Sequence, residues 1–548
     1  MTASDGYGPR QVRAILGGLL LATFVAALDQ TVVSAAIYRI GESLSGLTAQ
    51  AWVTTAFLIT STVSVPVFGK LSDTHGRRPL FVAAIGVFLA GSALCALASS
   101  MVMLAGFRAV QGIGAGGIMT LTSAVMGDVI APRDRAKYGG WFVAAYAIAS
   151  VVGPVTGGAL AGQRTLLGVD GWRWIFLLNL PVGAAACVVV TRVLRPGVPA
   201  ARRRRRRLDV AGTLALIAAA VPLLLVATRG QAWGWGGAAA VACYAVGAAG
   251  TVGFLAAERR AGDSALLTLR LFRNHGFAVG AGQSLVANAG MLGVIVGVPL
   301  YLQLVKGYSP TAAGLLMLPQ VAGTLLGSVV AGQFTSRTGR YKLLPVTGSV
   351  LLLAGTLLLS RLTAGTPLAF ALPVLFVIGA GSTLYAQTIT LSMQNALPQA
   401  DLGVATSSNT FFRQIGATAG AAGFLSITYG AAGRAIREQY ARAGSGAFRA
   451  AVASHPGQAG ALRLATTGSQ AALNDTAFVA RLDPVLAEPF RAGFSSALDL
   501  AFLASAVVMA AALGLALMIR ELPLRTTVHA PSPASSPPPP SELARPAS

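Results

Sequence analysis

The chain reads as an all-α membrane protein: two six-helix bundles with two further helices inserted between them, fourteen transmembrane helices in all. Three observations predict this. Of 548 residues, 54% are hydrophobic and only 11% charged, where soluble domains carry about a quarter charged residues. Apolar runs of membrane-spanning length recur along the whole chain. A motif in the first half returns in the second.

A helix needs about 20 apolar residues to cross the hydrocarbon. Fourteen segments qualify: 14–37, 50–70, 80–99, 103–127, 139–162, 173–194, 209–228, 237–257, 277–304, 311–335, 342–360, 367–393, 403–428 and 493–519. The first reads as a retained helix rather than a cleaved signal. Arg10 and Arg13 precede it as an n-region would, but the run outlasts an h-region and carries Asp29.

The net charge of +23 raises the question of nucleic acid, and the placement of the charges answers it. Lys70, Arg77 and Arg78 fall between segments two and three, and Arg133, Arg135 and Lys137 between four and five. Arg192, Arg195 and the run Arg202–Arg207 follow segment six. Arg259, Arg260, Arg270 and Arg273 follow segment eight, and Arg337, Arg340 and Lys342 follow segment ten. The alternate connections are nearly bare. Such a bias puts the basic loops and both termini in the cytoplasm, in a multi-pass protein of the inner (plasma) membrane. The connection 429–492 carries seven arginines and lies outside, because long loops cross regardless of charge.

No aromatic residues interleave the run Arg202–Arg207 for base stacking, so anionic lipid headgroups are its expected partner. The amphipathic stretch 263–275 is expected along the inner membrane surface. The tail from 526, with Pro537–Pro540, is expected to be disordered. The divisions are then 1–195, the first bundle; 196–262, the basic linker and inserted pair; 263–525, the second bundle with its long outer loop; and 526–548, the tail. Cys95, Cys187 and Cys243 all sit in apolar runs, so no disulfide framework is expected.

GKLSDTHGRRP (69–79) matches GQFTSRTGRYK (332–342), pairing Gly69 with Gly332, Gly76 with Gly339 and Arg77 with Arg340. Ser336 stands where the first copy has Asp73, so the halves are not equivalent. The copies follow segments two and ten, as a six-plus-six duplication with two inserted helices requires. Transporters are commonly built from such repeats, with the substrate at the interface.

Several stretches together resemble the major facilitator superfamily, and within it the fourteen-helix drug:proton antiporter branch. LDQTVVSAA (28–36) in the first segment is one, and GKLSDTHGRRP is near-complete motif A. RAVQGIGAGG (108–117) resembles motif B, and GPVTGG (153–158) the core of antiporter motif C. WRWIFLLNLPVG (172–183) and ATSSNTFFRQIGATAG (405–420) are also typical of the branch. Ser34 replaces an Asn of the pattern, and Ala149 replaces a Gly. The resemblance implies the family's fold and proton-driven exchange, the latter because motif C accompanies antiporters.

Each motif has its own physics. Asp29 is a carboxylate in hydrocarbon, which costs at least a few kcal/mol and survives with a role or a partner. Arg108 is the expected partner, with Gln111 one turn away. Burial favours the neutral acid and a cation favours the charged one, so the pair suits proton exchange; a static ion pair is the alternative. In motif A, Gly69, Gly76, Asp73, Arg77 and Arg78 suit a latch between bundles at the cytoplasmic face; plain topogenic charge is the alternative. In motif C, Gly153 and Pro154 interrupt the helix ladder. With Gly140, Gly157 and Gly158 they offer a smooth packing face.

Asn409, Arg413 and Gly416 share a face of segment thirteen, with Arg413 free either to snorkel to the inner interface or to anchor the C-terminal half. Gln111, Tyr146, Asn288, Gln320, Tyr385, Asn409 and Arg413 are candidate cavity residues, with Gln283 and Gln387 further polar residues in spans. Asp499 near Arg491 is either an interfacial acid or a second protonation site.

The reading is a proton-coupled exporter of amphipathic small molecules, acting as a monomer with cargo, protons and lipid as its partners. The alternatives are an exporter of an endogenous product, lipid or peptide, and a receptor or scaffold without transport. No G-x-x-x-x-G-K-[ST] loop is present for ATP. His75, His275, His455 and His529 are scattered, so no metal, cofactor or enzymatic chemistry is expected.

Overall fold

The computed structural model describes residues 8–44, 50–130, 132–163, 165–194, 209–262, 265–398, 401–443, 446–469, 473 and 477–523. Its long helices are α1 (Pro9–Ser43), α2 (Gln50–His75), α3 (Arg77–Ala96), α4 (Met101–Val129), α5 (Pro132–Gly162), α6 (Asn179–Val193) and α7 (Val210–Trp233). After these come α8 (Ala238–Ala261), α9 (His275–Leu300), α10 (Leu318–Thr338), α11 (Leu343–Leu359), α12 (Leu368–Asn395), α13 (Leu402–Arg442) and α14 (Pro484–Leu517). The helix starts follow local chemistry. Ser100, Asp209, Asn274 and Asp483 cap α4, α7, α9 and α14 by accepting backbone N–H groups of the first turn.

Among the described residues, twelve helices are long and apolar enough to cross a membrane. The two others of the expected fourteen fall short for different reasons. α11 has only 17 residues, and α13 spreads Ser, Thr, Asn and Arg through its 41. Both pack within the bundle all the same, α11 on α12 and α14, and α13 on α9 and α14.

The two halves repeat one packing scheme. In the first, α4 packs on α2 and α3, α1 on α5 and α6, and α3 on α6. In the second, α12 packs on α10 and α11, α9 on α13 and α14, and α11 on α14. Every pairing recurs eight helices later, the spacing the duplicated motif requires. Gly76 and Gly339, equivalent in the two copies, both have positive φ, +93° and +70°. A side chain at either turn would be strained.

The inserted pair α7–α8 packs on itself and then against α2 and α13, one helix from each half. The chain leaving α8 is not a surface strip, as the sequence reading of 263–275 had it. Ala265, Leu266, Leu267 and Leu271 are buried, and Leu266 and Leu267 pack with Val65, Leu216, Phe254 and Phe411. Glu258 explains the difference: its two carboxylate oxygens accept Leu266 N–H at 3.0 Å and Leu267 N–H at 3.1 Å. That draws the strand of backbone into the protein.

The region 429–492 is largely helical. α13 runs on to Arg442, and α14 begins at Pro484. Short helices between them return Leu473, Phe478, Val479 and Leu482 to the core of the second half. The run Arg202–Arg207 and the tail from 526 lie outside the described residues.

Candidate functional site

Asp29 lies two-thirds of the way along α1 and is 1% exposed; Arg108, on α4, is 2% exposed. Arg108 donates to Asp29 Oδ2 and, at 2.8 Å, to Gln111 Oε1. Gln111 and Asn179 each donate to Asp29 Oδ1, at 2.9 Å and 2.8 Å. Both amides also donate to Ser92 Oγ, whose hydroxyl in turn donates to the Phe176 carbonyl at 3.0 Å. The Phe57 ring covers the guanidinium at 4.0 Å. Four helices thus contribute to one closed polar knot in an apolar bundle, and a charge so placed is stable only when paired and hydrogen-bonded.

Three groups donate to Asp29. Such a set fits the charged carboxylate; an added proton would oppose one of the donors. The knot therefore has a structural reason to rearrange when Asp29 gains a proton.

α4 can bring Arg108 this deep because it packs almost backbone to backbone. A Cβ on Gly112 would lie 2.5 Å from the Phe57 carbonyl oxygen. One on Gly114 would lie 2.4 Å from Phe88 N, and one on Gly116 2.2 Å from the Ser61 carbonyl oxygen. The glycines of the RAVQGIGAGG stretch are what admit α2 and α3 to contact distance.

At the basic-loop end, the motif A residues divide between two contacts. Arg77 donates to Asp128 at 2.9 Å and to Ser72, both within the first half. Gly69 makes the contact between halves: a Cβ there would meet the Ser407 Cβ at 2.4 Å. Arg78 is half-buried and Gly76 forms the turn into α3. The side chain of Asp73 lies outside the described residues.

The motif C glycines do not form one smooth face. Gly153 packs on α1, where a Cβ would lie 2.0 Å from Thr31 Oγ1, and Thr31 donates to the Ala149 carbonyl at 3.0 Å. Gly140 faces Ser328 of α10, in the other half, while Gly158 faces open space. Gly157 is buried, and Pro154 sits exposed inside α5.

The candidate cavity residues separate by exposure. Gln111 belongs to the Asp29 knot. Asn409 is buried, accepting from Ser284 at 2.5 Å and donating to Thr390 at 2.7 Å, so it ties α13 to α9 and α12. Gln320 and Gln283 are buried as well, and Gln387 donates to Ser328 at 2.6 Å. Gln111, Gln320 and Asn409 therefore do not line open space.

Tyr146 and Arg413 do. Tyr146 is 42% exposed and donates to Gln30 of α1 at 2.8 Å. Arg413 is exposed, and its charge acts on the hydroxyls of both Tyr146 on α5 and Tyr385 on α12. Asn288 donates to Tyr385 at 2.6 Å. The charge of Arg413 thus reaches residues of both halves.

Two groups escaped the sequence reading. Asn179 stands in the quoted WRWIFLLNLPVG stretch, but nothing in its spacing aims it at Asp29. Asp128 closes α4 and becomes a partner of Arg77 only once α3 and α4 pack side by side. Asp499 is half-buried with Oδ1 unbonded; it neighbours Tyr301 and makes no ion pair with Arg491 among the described residues. At the end opposite the basic loops, Lys306 donates to the carbonyls of Ala364 and Thr366, at 2.7 and 2.5 Å. Burial there lowers its pKa.

Comparison with known proteins follows the same lines. The profile of the Major Facilitator Superfamily matches residues 19–421. An uncharacterized MFS-type transporter of Mycobacterium tuberculosis (strain ATCC 25618 / H37Rv) is 37% identical over 524 residues, 95% of this chain and 71% of that protein. The multidrug transporter protein MdtP of Bacillus subtilis (strain 168) is 36% identical over 409 residues, 74% of this chain and 73% of its own. The proton:xylose symporter XylE shares the fold with a TM-score of 0.56 at 14% identity, covering 94% of this chain and 97% of its own. A bacterial homolog of the lysosomal transporter Spinster does so with 0.54 at 16%, covering 94% and 98%. With its paired six-helix halves, its motif-bearing turns and these relatives, the chain is a multi-pass membrane transporter that belongs to the major facilitator superfamily.

Proposed function

We propose that this transporter is a proton-coupled antiporter that exports amphipathic small molecules from the cytoplasm. Relatives named as multidrug transporters support export. The observation that carries the coupling is the Asp29 knot: a buried carboxylate held by Arg108, Gln111 and Asn179 across α1, α4 and α6. A proton arriving from outside neutralises Asp29 and removes the reason for Arg108 to face it. α1 and α4 then re-pack, and because α1 is locked to α5 through Thr31 and Gly153, the first half moves as a body against the second. Release of the proton to the cytoplasm restores the knot and readies the cleft for cargo. Two arrangements of one element, each favoured by a different ligand, are what exchange requires.

The basic loops and both termini are taken as cytoplasmic on the charge bias. The contacts of Gly69 with Ser407 and of Gly140 with Ser328 then close the cytoplasmic side, which reads as a state open toward the outside.

The test is proton movement on adding cargo to proteoliposomes, using hits from a drug-susceptibility panel in a pump-deleted host. Asp29→Asn should abolish cargo-driven proton flux and uphill export while downhill exchange persists. Equal proton flux in wild type and Asp29→Asn would refute the assignment and turn attention to Asp499.

A further inference from the structure

Among the described residues the spanning helices hold few acids; near their ends Asp128 pairs with Arg77 and Glu488 is exposed. Asp29 is sealed in its knot. Glu258 is occupied by the backbone of Leu266 and Leu267. Asp499 lies on α14 beside Tyr301. The cleft itself holds the opposite charge. Arg413 stands in it, forming no ion pair and no hydrogen bond among the described residues. It lies eleven residues into α13, about 16 Å along the helix axis from its start.

A bare guanidinium inside a membrane bundle is expensive, and the residues around it do nothing to neutralise it. They provide a different environment. Tyr146 from the first half and Tyr385 from the second both lie within range of its charge. Tyr385 is held by Asn288, and Tyr146 by Gln30. Tyr385 itself is buried, while Tyr146 is 42% exposed and presents its ring to open space. The guanidinium, a planar fork of five N–H donors, matches a carboxylate in two parallel hydrogen bonds, and the exposed ring offers surface to an apolar body.

We propose that Arg413 is the cargo-recognition residue of the cleft and that the preferred cargo is an amphiphile bearing a carboxylate. This rests on the transport reading above and narrows it to anionic rather than cationic molecules. A cation in this cleft would meet an unpaired like charge; a carboxylate would supply the partner the protein withholds. Tyr146, on the first half, is exposed and within range of the Arg413 charge, so a bound anion would meet groups from each half.

The test uses three probes sharing one dansyl-labelled eleven-carbon chain: 11-(dansylamino)undecanoate, its methyl ester, and the matching trimethylammonium compound. Binding to the purified full chain in an uncharged detergent is followed by dansyl fluorescence. Wild type should bind the carboxylate about tenfold or more tighter than the ester, the size expected for hydrogen bonds to a charged group, and the ammonium more weakly than the ester. Arg413→Gln should bring carboxylate and ester within about twofold of each other, with ester binding retained as evidence of a folded site. Arg413→Lys keeps the charge but loses the fork, and its preference should fall between the two. Proton movement on adding each probe to wild-type proteoliposomes is read separately: a carboxylate preference without proton movement would refute the coupling scheme alone, and proton movement without a carboxylate preference would refute this proposal alone. Equal binding of ester and carboxylate by wild type, tighter binding of the ammonium, or an unchanged preference in Arg413→Gln would each overturn the proposal.

Discussion

Arg77 Nε donates to Asp128 Oδ2 across 2.9 Å, joining the first turn of α3 to the last turn of α4. The strongest charge contact of the motif A turn described here therefore lies inside one half. What meets the other half on that face is a glycine, Gly69, against Ser407. The contact that shapes the turn and the contact between halves are thus made by different residues.

Closure through Gly69 is open to a steric test. Gly69→Ala places a Cβ 2.4 Å from that of Ser407, a contact the closed arrangement cannot keep. Overpacking of this kind costs about 1–3 kcal/mol, so the population should shift toward a cytoplasmic opening by about tenfold or more. Labelling of single cysteines on the cytoplasmic ends of α2 and α13 measures it, in a background without Cys95, Cys187 and Cys243. Gly69→Ala with Ser407→Gly should restore the wild-type pattern; no rescue would place the gate elsewhere.

The Arg77–Asp128 pair should behave as a support. Arg77 is 12% exposed and Asp128 39%, so solvent screens the pair and its coupling should be modest, about 1 kcal/mol. A double-mutant cycle of Arg77→Ala and Asp128→Ala, read by thermal unfolding in detergent, measures it. Asp128→Ala should leave the labelling pattern of the gate unchanged. A gate that opens in Asp128→Ala would mean that the pair is itself the latch.

Asn179 should matter as much as a motif residue. Asn179→Ala removes one of two donors to Asp29 Oδ1 and one of two to Ser92. A hydrogen bond to a charged group is worth about 1.5–3 kcal/mol, so proton-coupled export should fall by about tenfold or more. In an Asp29→Asn background the same change should have little further effect on downhill exchange, since the charged acceptor is already gone. A full additional loss there would mark Asn179 as a packing residue.

Glu258 is expected to hold the inserted pair to the second half. Glu258→Ala leaves the N–H groups of Leu266 and Leu267 without their acceptors. The loss should be about 3–6 kcal/mol of local stability, as two charged hydrogen bonds imply. Limited proteolysis after Arg270 or Arg273 in inside-out membrane vesicles, which present the cytoplasmic side, should speed up markedly. Glu258→Gln keeps one acceptor oxygen and should be intermediate. Cleavage at wild-type rate in Glu258→Ala would show that the apolar contacts of Leu266 and Leu267 suffice alone.

What the sequence makes legible follows from which forces are local. Helix positions were readable because hydrocarbon thickness imposes a length on each span, and twelve of the described helices are apolar over that length; α11 is shorter and α13 more polar. The partnership of Asp29, Arg108 and Gln111 was readable because a buried charge demands a partner and Gln111 lies one turn from Arg108. Asn179 was not, because its approach depends on how α6 packs on α1 and α3. Arg413 was placed on the right helix, but whether its long side chain turned to the interface or to the cleft depended on α5 and α12. The stretch 263–275 looked amphipathic, and so it is; its apolar side is taken up by protein because Glu258 captures its backbone, a contact no periodicity records.

α13 gives the transporter a mechanical dimension that its chemistry does not suggest. Its 41 residues form one unbroken rod of about 62 Å, roughly twice the hydrocarbon thickness of a bilayer. Ser407, at the gate, and Arg413, in the cleft, lie near one end, and the short helices of 446–483 are carried at the other. A rod of this length is a lever. Pivoting by about 5° at Arg413, a small rotation for a hinge, swings Arg442 through roughly 4 Å. The folded cap at the far end is thus a pointer whose position reports the gate, and spin labels on that cap and on the outer end of α1 would read the transport cycle without touching the pathway.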